Sequence, residues 1–430
     1  MPRPAAVLVA LVLLPFAYSA PDSTDSPPGP GDWKARSTLT LSTDQYWIHA
    51  VAFSPDGALL ATAGQKFTKT EPRTSVGEVR LWDVKQGKEL GSFPMLDQRA
   101  GRGHHGRASA VVFTPDGKFL IGGGYETDDL SAGGEIKIWD VETRKERAAP
   151  TAPSTSMSFH EILSGEGRKD RTPFSGGIRA VLGLAVSPDG KTLAVAGRVA
   201  HDENKSKPGA SYDGSVQLWD LETGKPGLVP SSGVGLVGCG GVAFSDDSRF
   251  LAWNEEVTYD NPPAGHVRVW DLTKNKERSS WEGGWWANNR LAMRSLDLSP
   301  DGKVVAVTAD KQPARGQAPT VGAVRLVDTA GGKEQAKVFN ADNPRKGSLV
   351  HAVVYSYDGK RLAAAGAAAG APWVRVCDTT TKEEAAVPVK NKEKITALAF
   401  AHDGNLLATA SYDGTVQLWE CKPAKEAKPK

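Results

Sequence analysis

One sequence phrase recurs seven times along this 430-residue chain, and it constrains the fold more than any other feature. Each copy holds a β-rich segment, an acidic turn and a second β-rich segment. The turns are Pro55-Asp56-Gly57, Pro115-Asp116-Gly117, Pro188-Asp189-Gly190, Asp246-Asp247-Ser248, Pro300-Asp301-Gly302, Tyr357-Asp358-Gly359 and His402-Asp403-Gly404. Asp-Gly between alternating apolar residues indicates a hairpin, because glycine accepts the positive φ that the turn requires. The sequence therefore predicts a chain of repeated antiparallel hairpins.

A second phrase follows each turn and alternates apolar and polar residues, as a half-buried strand does. In five copies it ends on a tryptophan followed by an acidic residue. These tryptophans are Trp82, Trp139, Trp219, Trp270 and Trp419. The fifth and sixth copies carry Val327 and Cys377 at the same place. We therefore expect these two copies to pack differently from the rest.

The two phrases together resemble the WD-repeat (β-transducin-like) family over nearly the whole range Trp33–Cys421. The resemblance implies an all-β fold, a seven-bladed β-propeller with four antiparallel strands, a to d, in each blade. Counting along the chain gives one strand near Lys34–Leu41, six full sets, and three strands at the end, which makes 28 in all. The N-terminal strand is thus predicted to close the last blade, so that no sheet edge is left open.

The resemblance also assigns structural roles. In the family a histidine before strand a, an aspartate six residues before the tryptophan, and the tryptophan itself form a buried network. His104 matches the histidine, and Asp213 and Asp413 match the aspartate. Few blades carry all three residue types, so we expect the network to be incomplete in most of them.

The connections between strands b and c, and between d and a, are the long ones. The turn aspartate and the tryptophan position are 16 residues apart in the last copy and 19 to 30 apart in the others. Antiparallel order places both kinds of connection on one face, and long loops on a rigid scaffold often form binding sites. We therefore expect a protein or peptide partner to bind on this face.

The resemblance names positions for such a partner at the start of strand a, two residues earlier, and at the end of the b–c loop. The strand-a starts by this rule are His49, Ser109, Leu182, Cys239, Arg294, His351 and Thr396. The predicted partner-binding residues are Trp47, His49, Arg107, Tyr212, Arg294, His351, Lys394 and Tyr412. Tryptophan, tyrosine and arginine are the types that most often carry interface energy.

The sequence contains no nucleophile elbow, zinc-binding His-Glu-x-x-His pair or phosphate loop, so we predict no enzyme activity, no cofactor and no metal. A net charge of +2 gives no basic footprint for nucleic acid. We expect a monomeric interaction scaffold. The alternative is a propeller hydrolase or lyase at the mouth of the central channel, with His49, His351 and Arg294 as its acid, base and oxyanion groups.

The chain ends differ from the repeats. Residues 1–19 combine Arg3, an apolar run and small residues before Ser19, which predicts a signal peptide and an extracytoplasmic protein, periplasmic or secreted. Retention of this segment as an anchor stays open; after cleavage no membrane insertion is expected. Residues 20–32 are predicted to be a flexible leader, 33–422 the propeller, and 423–430 a disordered tail.

Overall fold

The strands of this protein form a ring of seven antiparallel blades. The computed structural model describes residues 32–40, 46–67, 74–95, 105–126, 134–147, 178–200, 212–228, 230–232, 236–257, 264–285, 295–311, 321–339, 348–368 and 370–422. The predicted signal peptide, most of the leader, the tail and much of the long connections lie outside these ranges. Every regular element in the described ranges is a β-strand, which confirms the all-β prediction.

Blades one to four follow one another along the first half of the chain. Blade one consists of β2 (Tyr46–Phe53), β3 (Leu59–Phe67), β4 (Ser75–Asp83) and β5 (Lys88–Met95). Blade two shows β6 (Gly106–Phe113), β7 (Phe119–Glu126) and β8 (Gly134–Asp140). Blade three consists of β9 (Ile178–Val186), β10 (Thr192–Ala200), β11 (Tyr212–Asp220) and β12 (Ser231–Ser232). Blade four consists of β13 (Leu236–Phe244), β14 (Phe250–Val257), β15 (Ala264–Asp271) and β16 (Lys276–Trp285).

Blades five to seven complete the ring. Blade five consists of β17 (Leu296–Leu298), β18 (Val304–Lys311), β19 (Val321–Asp328) and β20 (Glu334–Val338). Blade six consists of β21 (Ser348–Tyr355), β22 (Arg361–Ala368), β23 (Ala371–Asp378) and β24 (Glu384–Val387). Blade seven contributes β25 (Ile395–Phe400), β26 (Leu406–Ser411) and β27 (Thr415–Lys422), and its outer strand is β1 (Asp32–Thr40).

Ring closure by the N-terminal strand is confirmed. Strand β1 pairs antiparallel with β27, from Asp32 opposite Lys422 to Thr40 opposite Thr415. The count of strands is 27 in the described residues, one fewer than predicted. At the place of the fourth strand of blade two there is a single bridge between Trp139 and Glu146, just before a segment outside the described residues.

The a–b turns share a side-chain motif that explains their recurrence. In blade one the Ser54 hydroxyl donates to the Asp56 carboxylate at 2.5 Å, and the Asp56 carboxylate accepts the backbone N–H of Ala58. A hydroxyl two residues before the aspartate makes the same bond in the turns of blades two to six. Blade four lacks the glycine, and Ser248 there adopts a φ of 57°.

The hydrophobic core is divided among the interfaces between neighbouring blades. One buried cluster joins blade one to blade seven and contains Ile48, Trp82 and Leu418. Another joins blade five to blade six and contains Leu326, Leu362 and Cys377. In both clusters the tryptophan position of a blade packs against the preceding blade. The ring is therefore stabilised by a series of equivalent but separately composed cores.

Candidate interaction surface

The innermost strand of most blades carries a β-bulge at one equivalent place. In blade one Ile48 lies opposite Gly64 and Ala50 lies opposite Ala63, so His49 is the extra residue. The corresponding extra residues of blades two, three, six and seven are Ser109, Leu182, His351 and Thr396. The prediction, carried over from the resemblance, that strand a starts at these positions is wrong by one to four residues, since the strands begin at Tyr46, Gly106, Ile178, Ser348 and Ile395. A bulge re-aims the side chain of the extra residue, which is how it can face a site.

Glycines on strand b make room for this geometry. A Cβ on Gly64 would lie 2.4 Å from the carbonyl oxygen of Trp47, and one on Gly124 would lie 2.3 Å from that of Arg107. Real side chains do not approach backbone so closely, so larger residues would push the two strands apart. The glycines thereby fix the positions of Trp47 and Arg107.

Three consecutive bulged side chains bond the next blade around the ring. The Thr396 hydroxyl of blade seven donates to the carbonyl oxygen of Ile48 at 2.8 Å. His49 Nδ1 of blade one lies 3.1 Å from a guanidinium nitrogen of Arg107 in blade two. The Ser109 hydroxyl donates to the carbonyl oxygen of Val181 in blade three. These bonds tie blades seven, one, two and three into one rigid arc.

Aromatic rings gather where blades seven and one meet on the face of the b–c connections. The Trp47 and Tyr412 rings stack at 5.3 Å between centroids with an interplanar angle of 17°. Phe67 meets Trp47 edge-on at 4.8 Å, and Tyr412 also meets the His49 ring edge-on at 5.5 Å. Trp47 nevertheless keeps 43% of its surface exposed, which is unusual for a large apolar side chain.

Two cationic side chains complete this group. The Lys394 ammonium lies 4.3 Å from the centroid of the Tyr412 ring, within cation–π distance. Arg107 donates to the Tyr125 hydroxyl at 3.2 Å as well as approaching His49. We call the whole set the aromatic platform: Trp47, His49, Phe67, Arg107, Tyr125, Lys394 and Tyr412.

The electrostatics of His49 follow from its position between these groups. Burial, and then the neighbouring Arg107 guanidinium, lower the pKa of His49 to about 2. The imidazole is therefore neutral at physiological pH, and Nδ1 can accept a hydrogen bond from Arg107. A group with this pKa is a poor general acid or base near neutrality, where useful catalytic pKa values lie close to the working pH.

The structure brings five of the eight predicted partner-binding residues together, namely Trp47, His49, Arg107, Lys394 and Tyr412. His351 occupies the equivalent bulge of blade six. Tyr212 begins β11, but its side chain lies outside the described residues, as does all of Arg294. Sequence reasoning missed Phe67 and Tyr125, which lie at the ends of the b strands of blades one and two. An aromatic residue at or next to the end of strand b is the sequence feature that would have indicated these two positions.

The predicted structural residues support the blades locally. The indole N–H of Trp82 donates to the Thr62 hydroxyl at 3.3 Å, and that of Trp419 donates to the Thr409 hydroxyl at 3.0 Å. Trp139 and Trp219 are buried, and Trp270 is partly buried. His104 and the side chain of Asp213 lie outside the described residues.

Asp413 holds the turn that carries Tyr412. Its carboxylate accepts bonds from the Asn391 amide at 3.3 Å, the backbone N–H of Lys392 and the Thr415 side chain. Asn391 therefore stands where the family has its histidine, before strand a of blade seven. The hydrogen bonds of Asp413 thereby hold Tyr412, a member of the aromatic platform, in position.

The described part of the chain consists of β-strands and their connections. It contains no group of three His, Cys, Asp or Glu side chains placed to hold a metal ion. It also contains no helix long and apolar enough to cross a bilayer.

A ring of seven four-stranded blades with repeated Asp-Gly turns and Trp-Asp strand ends defines a WD-type β-propeller. The family described as "WD domain, G-beta repeat" matches residues 35–68, 97–140, 171–220 and 387–420. These segments lie in blades one to three and in blade seven with its closing strand. The chain is a member of the WD-repeat family.

Curated relatives agree with this placement over parts of their length. The chain is 35% identical to apoptotic protease-activating factor 1 of Homo sapiens over 22% of this chain and 6% of the relative. It is 29% identical to the small ribosomal subunit protein RACK1 of Caenorhabditis elegans over 34% of this chain and 33% of the relative. Tricorn protease homolog 1 of Streptomyces coelicolor is 30% identical over 35% of this chain and 11% of the relative. The chain thus matches a third or less of each relative.

Proposed function

We propose that this protein is a non-catalytic scaffold that binds a protein or peptide partner on the aromatic platform. WD-repeat propellers generally bind protein partners, and this supports the general role. The observation that carries the location is the exposed Trp47 indole, stacked on Tyr412 and fixed by the bonds of the surrounding arc. Rigid, partly exposed aromatic anchors are typical of binding hot spots.

The aromatic platform is suited to binding because most of its side chains are already held in place before a partner arrives. The stack, the cation–π contact and the His49–Arg107 bond hold side chains that would otherwise have to be immobilised on association. Immobilising a flexible side chain costs about 0.5–1.5 kcal/mol, and a preorganised surface avoids that cost. A partner that covers Trp47 would therefore gain its apolar burial with little ordering penalty.

The decisive experiment compares two exposed aromatic residues on opposite faces. Partners are captured with the full chain from the extracytoplasmic fraction of its source, and their affinity is then measured for Trp47→Ala and for Tyr357→Ala. Tyr357 is 49% exposed and packs on His402 in an a–b turn, on the other face of the ring. We expect Trp47→Ala to weaken binding about 30-fold, the equivalent of about 2 kcal/mol.

Tyr357→Ala serves as the matched control and should bind as the wild type does. Thermal unfolding of both variants separates lost binding from lost fold. Loss of binding in Tyr357→Ala with full binding in Trp47→Ala would move the site to the opposite face.

We also propose that the protein acts outside the cytoplasm. The support is the composition of residues 1–19, with a basic start, an apolar run and small residues before Ser19. Expression of the full chain followed by cell fractionation tests this directly. A mature N-terminus at Ala20 in the extracytoplasmic fraction is expected, and uncleaved protein confined to the cytoplasm would contradict it.

A further inference from the structure

A cavity of about 300 Å³ lies between blades five and six. Its floor is buried and largely apolar, with Leu326 and Val338 from blade five and Tyr355, Leu362 and Cys377 from blade six. Its mouth opens on the face of the a–b and c–d turns, opposite to the aromatic platform. The exposed side chains at the mouth include Asp301, Asp358 and Lys382.

The place of the cavity corresponds to a missing tryptophan. Cys377 pairs with Leu362 as Trp82 pairs with Leu60, so the two residues occupy equivalent positions in their blades. Each belongs to the cluster that joins its blade to the preceding one. Where Trp82 fills that space with an indole, Cys377 leaves it partly empty.

The tryptophan's hydrogen-bond partner is missing from blade six as well. Thr62 accepts the indole N–H of Trp82, and Ala364 stands at the equivalent place. Removing both partners of a buried hydrogen bond leaves no unsatisfied group. The floor of the cavity is consequently apolar, and Ala364 is fully buried behind it.

We propose that this cavity binds a small molecule built on a single aromatic ring system of indole size. A volume of about 300 Å³ lies at the lower end of ligand pockets, and apolar cavities of about half that volume bind benzene. An indole would restore the contacts that the tryptophan side chain makes at the equivalent interface of blades seven and one. The site goes beyond the partner-binding role, since it lies on the other face and uses none of the platform residues.

The charges at the mouth are balanced. Asp301 and Asp358 contribute two carboxylates, Lys382 contributes an ammonium, and Lys303 pairs with Asp301 at 2.9 Å. We infer that the ring itself, and not the charge of a substituent, determines binding, because a charged substituent would meet both Asp358 and Lys382 at the rim.

The ligand is held without a covalent bond. Burial raises the pKa of the Cys377 thiol to about 11, so the sulfur stays protonated at physiological pH. A protonated thiol is a weak nucleophile. Cys377 acts here through its small size, which leaves room for the ring.

The test is titration of the full chain with indole, tryptamine and indole-3-acetate, followed by calorimetry or ligand-observed NMR. We expect saturable binding of indole with a Kd of about 0.1–1 mM, because a ligand with so few atoms can gain only a limited binding free energy. Tryptamine and indole-3-acetate should bind with affinities within about tenfold of each other. The variant Cys377→Trp fills the cavity and should weaken indole binding more than about tenfold.

Two further variants distinguish a loss of indole binding from a loss of folding. Cys377→Leu fills part of the cavity and should give an intermediate affinity even where Cys377→Trp does not fold. Cys421→Ala changes another buried cysteine, in the core between blades six and seven, and should bind indole as the wild type does. Absence of saturable indole binding up to about 5 mM, or wild-type affinity in both Cys377 variants, would overturn the proposal.

The test of indole binding is independent of the test of partner binding on the aromatic platform. Trp47→Ala should lose the protein partner and keep indole binding, whereas Cys377→Trp should lose indole and keep the partner. Failure of either proposal therefore leaves the other to be judged on its own variants.

Discussion

The interface of blades seven and one and the interface of blades five and six are built on the same repeat but packed differently. The first holds a fully formed core in which Trp82 is 5% exposed and donates to Thr62. The second has lost both of these residue types and contains a cavity. The difference shows that the strand pairing of a blade does not depend on the tryptophan, whereas at the interface of blades five and six the space that a tryptophan would fill is left partly empty.

The interface of blades four and five shows that loss of the tryptophan need not leave a cavity of this kind. Val327 replaces the tryptophan there and packs in a cluster with Phe250 and, at its edge, Trp281. The Arg278 guanidinium covers the Phe250 ring at 4.1 Å. Large side chains from blade four thus supply bulk that blade five lacks. Among the described residues, blade five contributes one buried aromatic side chain, Phe339, to the cluster around Cys377, and Leu326 and Val338 form the facing wall of the cavity.

The largest expected effect comes from truncating the two equivalent residues. Trp82→Ala should lower the free energy of unfolding by about 3–5 kcal/mol, because it creates a new cavity in a filled core. Cys377→Ala should cost only about 1 kcal/mol, because it removes a single sulfur beside space that is already empty. Chemical denaturation of both variants measures the two values.

The ratio of these two values tests the comparison. Equal losses would mean that the interface of blades five and six is packed as tightly as that of blades seven and one. Trp419→Ala, which truncates the buried tryptophan of blade seven, provides a second measurement for a filled core.

A second difference lies in the pH dependence of the two regions. Burial raises the pKa of Asp297 to about 7, above its unfolded value of about 3.9, and Asp297 accepts the backbone N–H of Tyr355 in blade six at 2.8 Å. Between pH 4 and 7 the folded state therefore binds more protons at this site, so its contribution to stability falls as pH rises. His49, with its pKa of about 2 against about 6.5 unfolded, acts oppositely over pH 2 to 6.5, since the unfolded state binds the extra proton.

Each group contributes a slope of up to about 1.4 kcal/mol per pH unit, and the two slopes have opposite signs between pH 4 and 6.5. Asp297→Asn should therefore make stability rise more steeply with pH in this window, and His49→Gln should make it rise less steeply. Denaturation curves at pH 4.5, 5.5 and 6.5 for the wild type and both variants measure this. Parallel curves for all three proteins would show that neither group titrates differently on folding. Asp246, whose pKa burial raises to about 6, adds an effect of the same sign as that of Asp297.

Much of the fold could be predicted from sequence because each blade is a local pattern. The Asp-Gly turns and alternating strands lie within about fifty residues of one another, and the strand count led to closure by β1. The bulge at His49 escaped prediction, because it depends on how Gly64 pairs across the hairpin. The platform was predicted only in part, since the stack of Trp47 on Tyr412 joins residues from opposite ends of the chain. The cavity could not be located from sequence, because side chains of a neighbouring blade can fill the space of a missing tryptophan, as Phe250 and Trp281 do beside Val327.

A further expected effect concerns the hydrogen bond that distinguishes the two interfaces. Thr62→Val keeps the shape of the side chain but leaves the buried indole N–H of Trp82 without its acceptor, which should cost about 1–3 kcal/mol. Thr62→Ser retains the hydroxyl and should recover most of that loss. In blade six the reverse change, Ala364→Thr, places a hydroxyl at the position equivalent to Thr62, where no indole donates to it, and should also destabilise the protein. Measuring Thr62→Val and Ala364→Thr in one denaturation series tests whether the threonine and the tryptophan act as a unit. If Thr62→Val destabilises the protein and Ala364→Thr stabilises it, the hydroxyl contributes without the tryptophan. The loss of both residue types from blade six would then need a different cause.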